Sequence, residues 1–182
     1  MMSERLAYEV VTAATLDEFH RLVQDDHVRR YLMDGQFFPR EWSEERVRDS
    51  ADLFGRRGVG LWLARHKATR DLVGFCGFLE IPSMHPQPQL VYAMFEGFTG
   101  KGYATEMARA SIAEARRHPG FSTIVAGVDE GNVASIRVLE KLGFRRDPME
   151  PGSIGTVQMF LLETSRWKDV PRPVTRDKRS DD

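Results

Sequence analysis

The stretch Leu90-Val91-Tyr92-Ala93-Met94-Phe95-Glu96-Gly97-Phe98-Thr99-Gly100-Lys101-Gly102-Tyr103-Ala104-Thr105-Glu106 sets an apolar strand, a glycine-rich turn and a helix start end to end. Glycine takes positive φ at little cost and lets a ligand reach the backbone without meeting a Cβ. The first N–H groups of a helix have no partner within it, and with the helix dipole they favour an anion. The turn at Thr99, Gly100, Lys101, Gly102, Tyr103 and Ala104 is therefore a candidate phosphate or pyrophosphate site, with Lys101 adding a mobile positive charge. A tight strand-to-helix connection without a ligand uses the same residues, so the turn alone does not decide. It lacks the Gly-x-x-x-x-Gly-Lys-Ser/Thr spacing of a P-loop, and Thr105 replaces the third glycine of a dinucleotide fingerprint.

The elements that must position this turn follow from hydrophobic periodicity. Leu6 to Val11 alternates as a strand. Leu16, Phe19, Leu22 and Val23 share a helical face, and Thr15 with Glu18 has capping-box spacing. His27 to Arg40 reads as a helical turn and then a loop. Ser43 is the expected cap of a second helix carrying Val47, Ala51 and Phe54 and ended by Gly55 to Gly60. Strands are predicted at Leu61–Arg65, Leu72–Ile81 and Gln89–Phe95, with Pro82 to Pro88 as a loop. The near-continuous apolar run Leu72–Ile81 suggests burial on both faces, and its Gly74 and Gly77 mark close backbone approaches or a bulge. After the turn come a helix stopped by His118-Pro119-Gly120, a strand Thr123–Val128, a helix Val133–Leu142 and a strand Thr156–Thr164. Consecutive strands in mid-chain favour antiparallel pairing, and the strand–helix–strand unit from Gln89 to Val128 favours one parallel pair. Residues 1–165 are expected to form one domain, and the charged segment 166–182 a frayed tail.

Composition narrows the function classes. The chain has 182 residues, 41% of them hydrophobic, enough for the core of one domain. Its 26 Lys and Arg nearly balance its 27 Asp and Glu, which disfavours holding on to nucleic acid or an anionic membrane by bulk charge. No apolar run approaches the ~20 residues of a membrane span. The N-terminus is polar, and the single cysteine, Cys76, allows no intrachain disulfide, so the expected location is the cytoplasm. Cys76 sits in an apolar strand without a matched His–Asn set and reads as a buried thiol. His20, His27, His66, His85 and His118 have no metal-ligand spacing, and no metal is expected.

A second segment follows: Asn132-Val133-Ala134-Ser135-Ile136-Arg137-Val138-Leu139-Glu140-Lys141-Leu142-Gly143-Phe144. Together with Gly100 to Glu106 it resembles the GNAT superfamily of N-acetyltransferases, in particular the branch of the ribosomal-protein alanine acetyltransferases. The close match runs from Gln89 to Arg146; a weaker one, in element order and in Glu4-Arg5-Leu6, runs from Glu4 to Leu162. The resemblance implies an α/β fold with a mixed, mostly antiparallel sheet, one splayed parallel strand pair and helices on both faces. It implies transfer of an acetyl group from acetyl-CoA to a primary amine, a protein N-terminus or a small molecule, without a covalent enzyme intermediate. The pantetheine arm would enter between Gln89–Phe95 and Thr123–Val128, bonded by backbone near Met94 and Phe95. The amides of Gly100, Gly102, Tyr103 and Ala104 would hold the pyrophosphate. Partners would be acetyl-CoA and an amine, with no nucleic acid and no membrane; a homodimer stays open.

Asn132 matches the family asparagine that contacts the coenzyme, and is also a plain helix N-cap. Ser135 matches the branch's alternative proton donor to the leaving thiolate, and is equally a helix serine bonding back to a carbonyl. Three positions depart from the family pattern: Gly97 where many relatives carry Gln or Arg, Leu139 where many carry an acidic Tyr, and Gln89 where the branch carries a carboxylate. Base candidates are Glu80 and Glu96, then His85 and Asp34, each also readable as a solvated surface group. Phe37, Phe38 and Trp42 form an acceptor wall or simply core, and Arg137, Lys141 and Arg145 reach a 3′-phosphate or solvent. The departures keep a second reading alive, a non-catalytic acyl-CoA-binding or sensing module.

Overall fold

The computed structural model describes residues 1–151 and 156–167. Seven strands, β1 (Leu6–Val10), β2 (Leu61–His66), β3 (Leu72–Ile81), β4 (His85–Met94), β5 (Thr123–Asp129), β6 (Arg145–Pro151) and β7 (Thr156–Glu163), form one sheet in the order β1-β2-β3-β4-β5-β7-β6. All neighbours are antiparallel except β4 and β5, the one parallel pair. Among the described residues five α-helices accompany it: α1 (Leu16–Gln24), α2 (Asp26–Leu32), α3 (Arg40–Arg57), α4 (Tyr103–Ala115) and α5 (Val133–Lys141).

The sheet buries both faces, as the unbroken apolar run of β3 implies. On one face Phe19 of α1 and Val28 of α2 pack with Leu61, Leu63, Phe75 and Val91. On the other, Ile112 of α4 and Leu139 of α5 pack with Trp62, Phe78 and Leu90. Successive strand residues alternate between the two sets because strand side chains alternate sides. Gly74 of β3 is a close approach: a Cβ there would lie 2.1 Å from the Ala93 carbonyl oxygen and 2.7 Å from the Met94 Cα. Any side chain would push β4 away at the point where the cleft described below begins.

Several expected boundaries move for local reasons. Thr15 and Glu18 do not form a capping box. The Thr15 hydroxyl accepts from the Thr12 N–H at 2.9 Å, and Glu18 pairs with Arg65 of β2. Ser43 is not a cap, because α3 begins at Arg40 after Pro39; Ser43 is buried inside the helix with its Oγ 2.9 Å from His20 Nδ1. Pro82 to Pro88 is not all loop, since β4 already starts at His85 and pairs with Ile81, the register shifting between Leu79 and Ile81. Strand β6 was not predicted. It bonds only to β7 at the sheet edge, and Pro148 falls where its register shifts between Arg146 and Met149. An edge strand tolerates prolines and polar residues that hide its apolar alternation. Trp167, within the segment expected to fray, is buried in the core; residues 168–182 lie outside the described residues. Among the described residues no helix is long and apolar enough to cross a membrane.

Candidate active site

The parallel ladder between β4 and β5 has a single register pair, Gln89 with Val125. Beyond it β4 continues through Tyr92 to Met94 with no β5 partner. The Phe95 N–H donates to the Val73 carbonyl at 3.1 Å, closing the β3 side of the strand there. In an antiparallel ladder, hydrogen-bonding direction alternates residue by residue. Met94 and Tyr92, opposite Gly74 and Cys76, therefore turn their N–H and carbonyl groups towards β5. The backbone edge facing the gap is thus that of Met94 and Tyr92. Phe95, a sequence candidate for the same role, has its N–H committed to β3.

Past Met94 the chain makes a 3₁₀ turn, Glu96–Phe98, and reaches the glycine turn. Gly100 has φ +72° and Gly102, the residue preceding α4, has φ +83°. A Cβ on Gly100 would meet nothing within 4 Å, so its exposed backbone face is open to a ligand. The first N–H groups of α4, from Tyr103 on, leave the helix without partners inside it. Arg5, at the entry to β1, holds this turn from behind. Its Nη1 donates to the Lys101 carbonyl at 2.9 Å, and its guanidinium lies 4.3 Å from the centre of the Tyr103 ring. It is paired with Glu106 in the first turn of α4. Burial opposes the Glu106 charge, but hydrogen bonds from the Arg5 backbone, Ser3 and the Arg5 side chain outweigh it and hold the carboxyl below its usual range. Lys101 does not aim into the cleft, because its Nζ donates to the Gly97 carbonyl at 2.7 Å.

Helix α5 closes the other side. Asn132 caps it, its Oδ1 accepting from the Ser135 N–H at 3.1 Å while Nδ2 reaches the Tyr31 carbonyl of α2 at 3.5 Å. Ser135 Oγ lies 2.7 Å from the Tyr92 hydroxyl. Met94, Thr99, Gly100, Gly102, Tyr103, Ala104, Asn132 and Ser135 all line one cleft of about 650 Å³, together with Tyr92 of β4 and Tyr31 of α2. The cleft thus combines a strand edge with hydrogen-bonding groups turned into it, a glycine turn at a helix start and a hydroxyl pair.

The profile of the Acetyltransferase (GNAT) domain matches residues 5–145. The chain belongs to the GNAT acetyltransferase family. Over 105 residues it is 35% identical to the uncharacterized protein YkkB of Bacillus subtilis (strain 168), a match that covers 57% of this chain and only 59% of YkkB. By structure, this GNAT chain resembles the ribosomal-protein-S5-alanine acetyltransferase from Vibrio fischeri, with TM-score 0.73, 15% identity, and coverage of 92% of this chain and 98% of that one. It also resembles the spermidine N-acetyltransferase from Vibrio cholerae in complex with CoA and spermine, with TM-score 0.70, 16% identity, and coverage of 88% and 96%. At those identities the two likenesses speak for the shared fold alone.

Two sequence candidates lie away from the cleft of this GNAT domain. Glu80 is held by Arg56 of α3, with Nη2 to Oε2 at 2.8 Å and Nη1 to Oε1 at 3.2 Å. Glu96 is exposed in the 3₁₀ turn and does not line the cleft. Cys76 is fully buried and burial pushes its thiol up to about 12, which suits core and not a nucleophile. Phe38 and Trp42 pack against the first core, whereas Phe37 is exposed beneath the Arg29 guanidinium. Among the described residues no three His, Cys, Asp or Glu side chains converge as a metal site.

Three residues escaped the sequence reading. Tyr92 sits in a strand whose apolar run disguises its hydroxyl. Arg5 stands 101 positions from its partner. Asp129, at the end of β5, has its carboxyl raised by burial and then by the charge of Asp34, with which it lines a separate hollow. An acid at the C-terminal end of a strand, just ahead of Gly131-Asn132, was the available signal for the last of these.

Proposed function

We propose that the chain is an acetyl-CoA-dependent N-acetyltransferase acting on a primary amine. The observation that carries the reading is the meeting, in one cleft, of the unpaired β4 edge, the glycine turn and Ser135. Acetyl-CoA is the co-substrate that such a cleft suits: Met94 and Tyr92 offer backbone groups to an amide-bearing arm, and the amides from Gly100 to Ala104 suit a diphosphate. Spermine, bound in one of the fold neighbours above, and the alanine of a ribosomal protein, which the other acetylates, both carry primary amines, so the acceptor class is carried over as an amine without choosing between a peptide and a small molecule.

The reaction asks little covalent chemistry of the protein. The amine lone pair forms the N–C bond, the C–S bond breaks with its electrons going to sulfur, and the amine proton leaves to a base or water. The protein's part is positioning and stabilising charge. The Met94 N–H, turned into the gap, is the candidate donor to the carbonyl oxygen. For the amine proton, Asp129 joins Glu80 and Glu96 as a base candidate: like them it lies outside the cleft lining, and burial and the charge of Asp34 raise its carboxyl, which suits a general base.

The deciding experiment is thiol release measured with acetyl-CoA and a panel of peptides and small amines. Release that depends on one acceptor class supports the reading. Saturable binding of acetyl-CoA, with a raised melting temperature but no release with any amine, would favour the sensing module instead.

A further inference from the structure

We propose that Tyr92 is a positioning residue of the transfer reaction, turning the Ser135 hydroxyl so that its proton faces the sulfur as the thioester breaks. This rests on the acetyl-transfer reading above and assigns a role to a residue outside the glycine turn and the α5 motif.

The Tyr92 phenol has one proton, and two acceptors stand in reach: Ser135 Oγ at 2.7 Å and the Ser135 carbonyl oxygen at 3.3 Å. If the phenol donates to the carbonyl, Ser135 donates to the phenol and its proton is used up. If the phenol donates to Oγ, the Ser135 proton is released to point elsewhere. Both residues line the cleft. Negative charge growing on a sulfur in that cleft therefore selects the second arrangement, at the expense only of the longer contact. No atom other than two hydroxyl protons has to move.

Magnitudes then decide between giving a proton and giving a hydrogen bond. Burial pushes the phenol up to about 12, while the bond to Ser135 pulls the other way. An alkyl thiol loses its proton near 8.5. A thiolate therefore cannot take the Tyr92 proton favourably, even relayed through Ser135. The sulfur leaves as thiolate, stabilised by the Ser135 O–H, and is protonated afterwards by bulk solvent, whose neutral pH lies below the thiol's value. Tyr92 ends the cycle as it began, neutral. Because Leu139 is fully buried in the core, α5 offers no side chain one turn further on to substitute for this pair.

The experiment is a double-mutant cycle with Tyr92→Phe and Ser135→Ala, read as kcat and as KM for acetyl-CoA. Tyr92→Phe removes one oxygen atom, and a melting curve controls for folding. Tyr92→Phe should lower kcat about 10- to 100-fold, the range for one hydrogen bond to a charged group. KM for acetyl-CoA should stay within about twofold. In the Ser135→Ala background the same change should cost little more, since the residue acts through Ser135. A second readout uses an acetyl thioester with a more acidic leaving thiol, for which the Tyr92→Phe loss should shrink. An active wild type with unchanged kcat in Tyr92→Phe, or an equal loss with and without Ser135, overturns the positioning role alone. A wild type that binds acetyl-CoA and releases no thiol overturns the acetyl-transfer reading, and this proposal with it.

Discussion

Arg5 and Glu106 meet through three contacts: the Arg5 backbone N–H to Oε1 at 2.7 Å, its Nε to Oε2 at 2.8 Å, and its Nη2 to Oε2 at 2.7 Å. The pair ties the start of the sheet to the first turn of α4. With the bond from Nη1 to the Lys101 carbonyl, it sets the path of the chain between Gly100 and Tyr103. Arg5→Ala should therefore lower stability by about 2 kcal/mol, as for a lost charged hydrogen-bond pair, and raise the KM for acetyl-CoA severalfold with kcat less affected. Arg5→Lys should recover part of the stability, but not the forked contact. Thermal melting and steady-state kinetics read both; an unchanged KM in Arg5→Ala would detach the clamp from coenzyme binding.

The same pair predicts an acid limb of stability. Glu106 is held below its usual value of 4.5 in the folded chain. A carboxyl depressed on folding stabilises fully above its unfolded value, and that contribution is lost as the pH falls through the lower folded value. Glu106→Gln should lower stability near pH 7 and flatten its decline below about pH 4.5. Denaturant melts across pH 3 to 7 give the comparison; parallel curves for the two proteins would remove Glu106 from the acid limb.

At Gly100 the proposed diphosphate turn can be tested apart from folding. Its φ of +72° makes Ala mildly strained, at about 1 kcal/mol, while the Cβ itself would stand in open space. Gly100→Ala should therefore cost little stability, whereas Gly100→Val should weaken acetyl-CoA binding at least tenfold. Calorimetric titration decides; native affinity in the valine variant would refute the turn as the diphosphate site.

The carboxylates make opposite predictions. Glu80 is occupied by Arg56 on the sheet's α3 side, so Glu80→Gln should leave kcat within about twofold. Asp129→Asn should lower kcat/KM at neutral pH and remove the acidic limb of its rate–pH profile, since the carboxyl is raised by burial beside Asp34. A retained limb would exclude Asp129 as the base.

Much of the site was legible in order along the chain. The glycine turn, the α4 start, the Asn132 cap on the Ser135 N–H and the buried run of β3 depend on residues close in sequence, whose spacing alone fixes caps, φ preferences and which side faces the core. The acetyltransferase family could be read from the same two segments. What only the tertiary structure decided are the long-range relationships. Strand register commits the Phe95 N–H to β3 and turns Met94 towards the gap. Packing of α5 on the sheet brings Ser135 to Tyr92, 43 positions earlier, and Arg5 reaches Glu106 across 101. It also pairs Glu80 with Arg56 and sets Asp129 near Asp34. These depend on how separate elements cross and slide against one another. A sequence pattern with a period of two or 3.6 residues records which face is buried but not which residue of another element lies opposite.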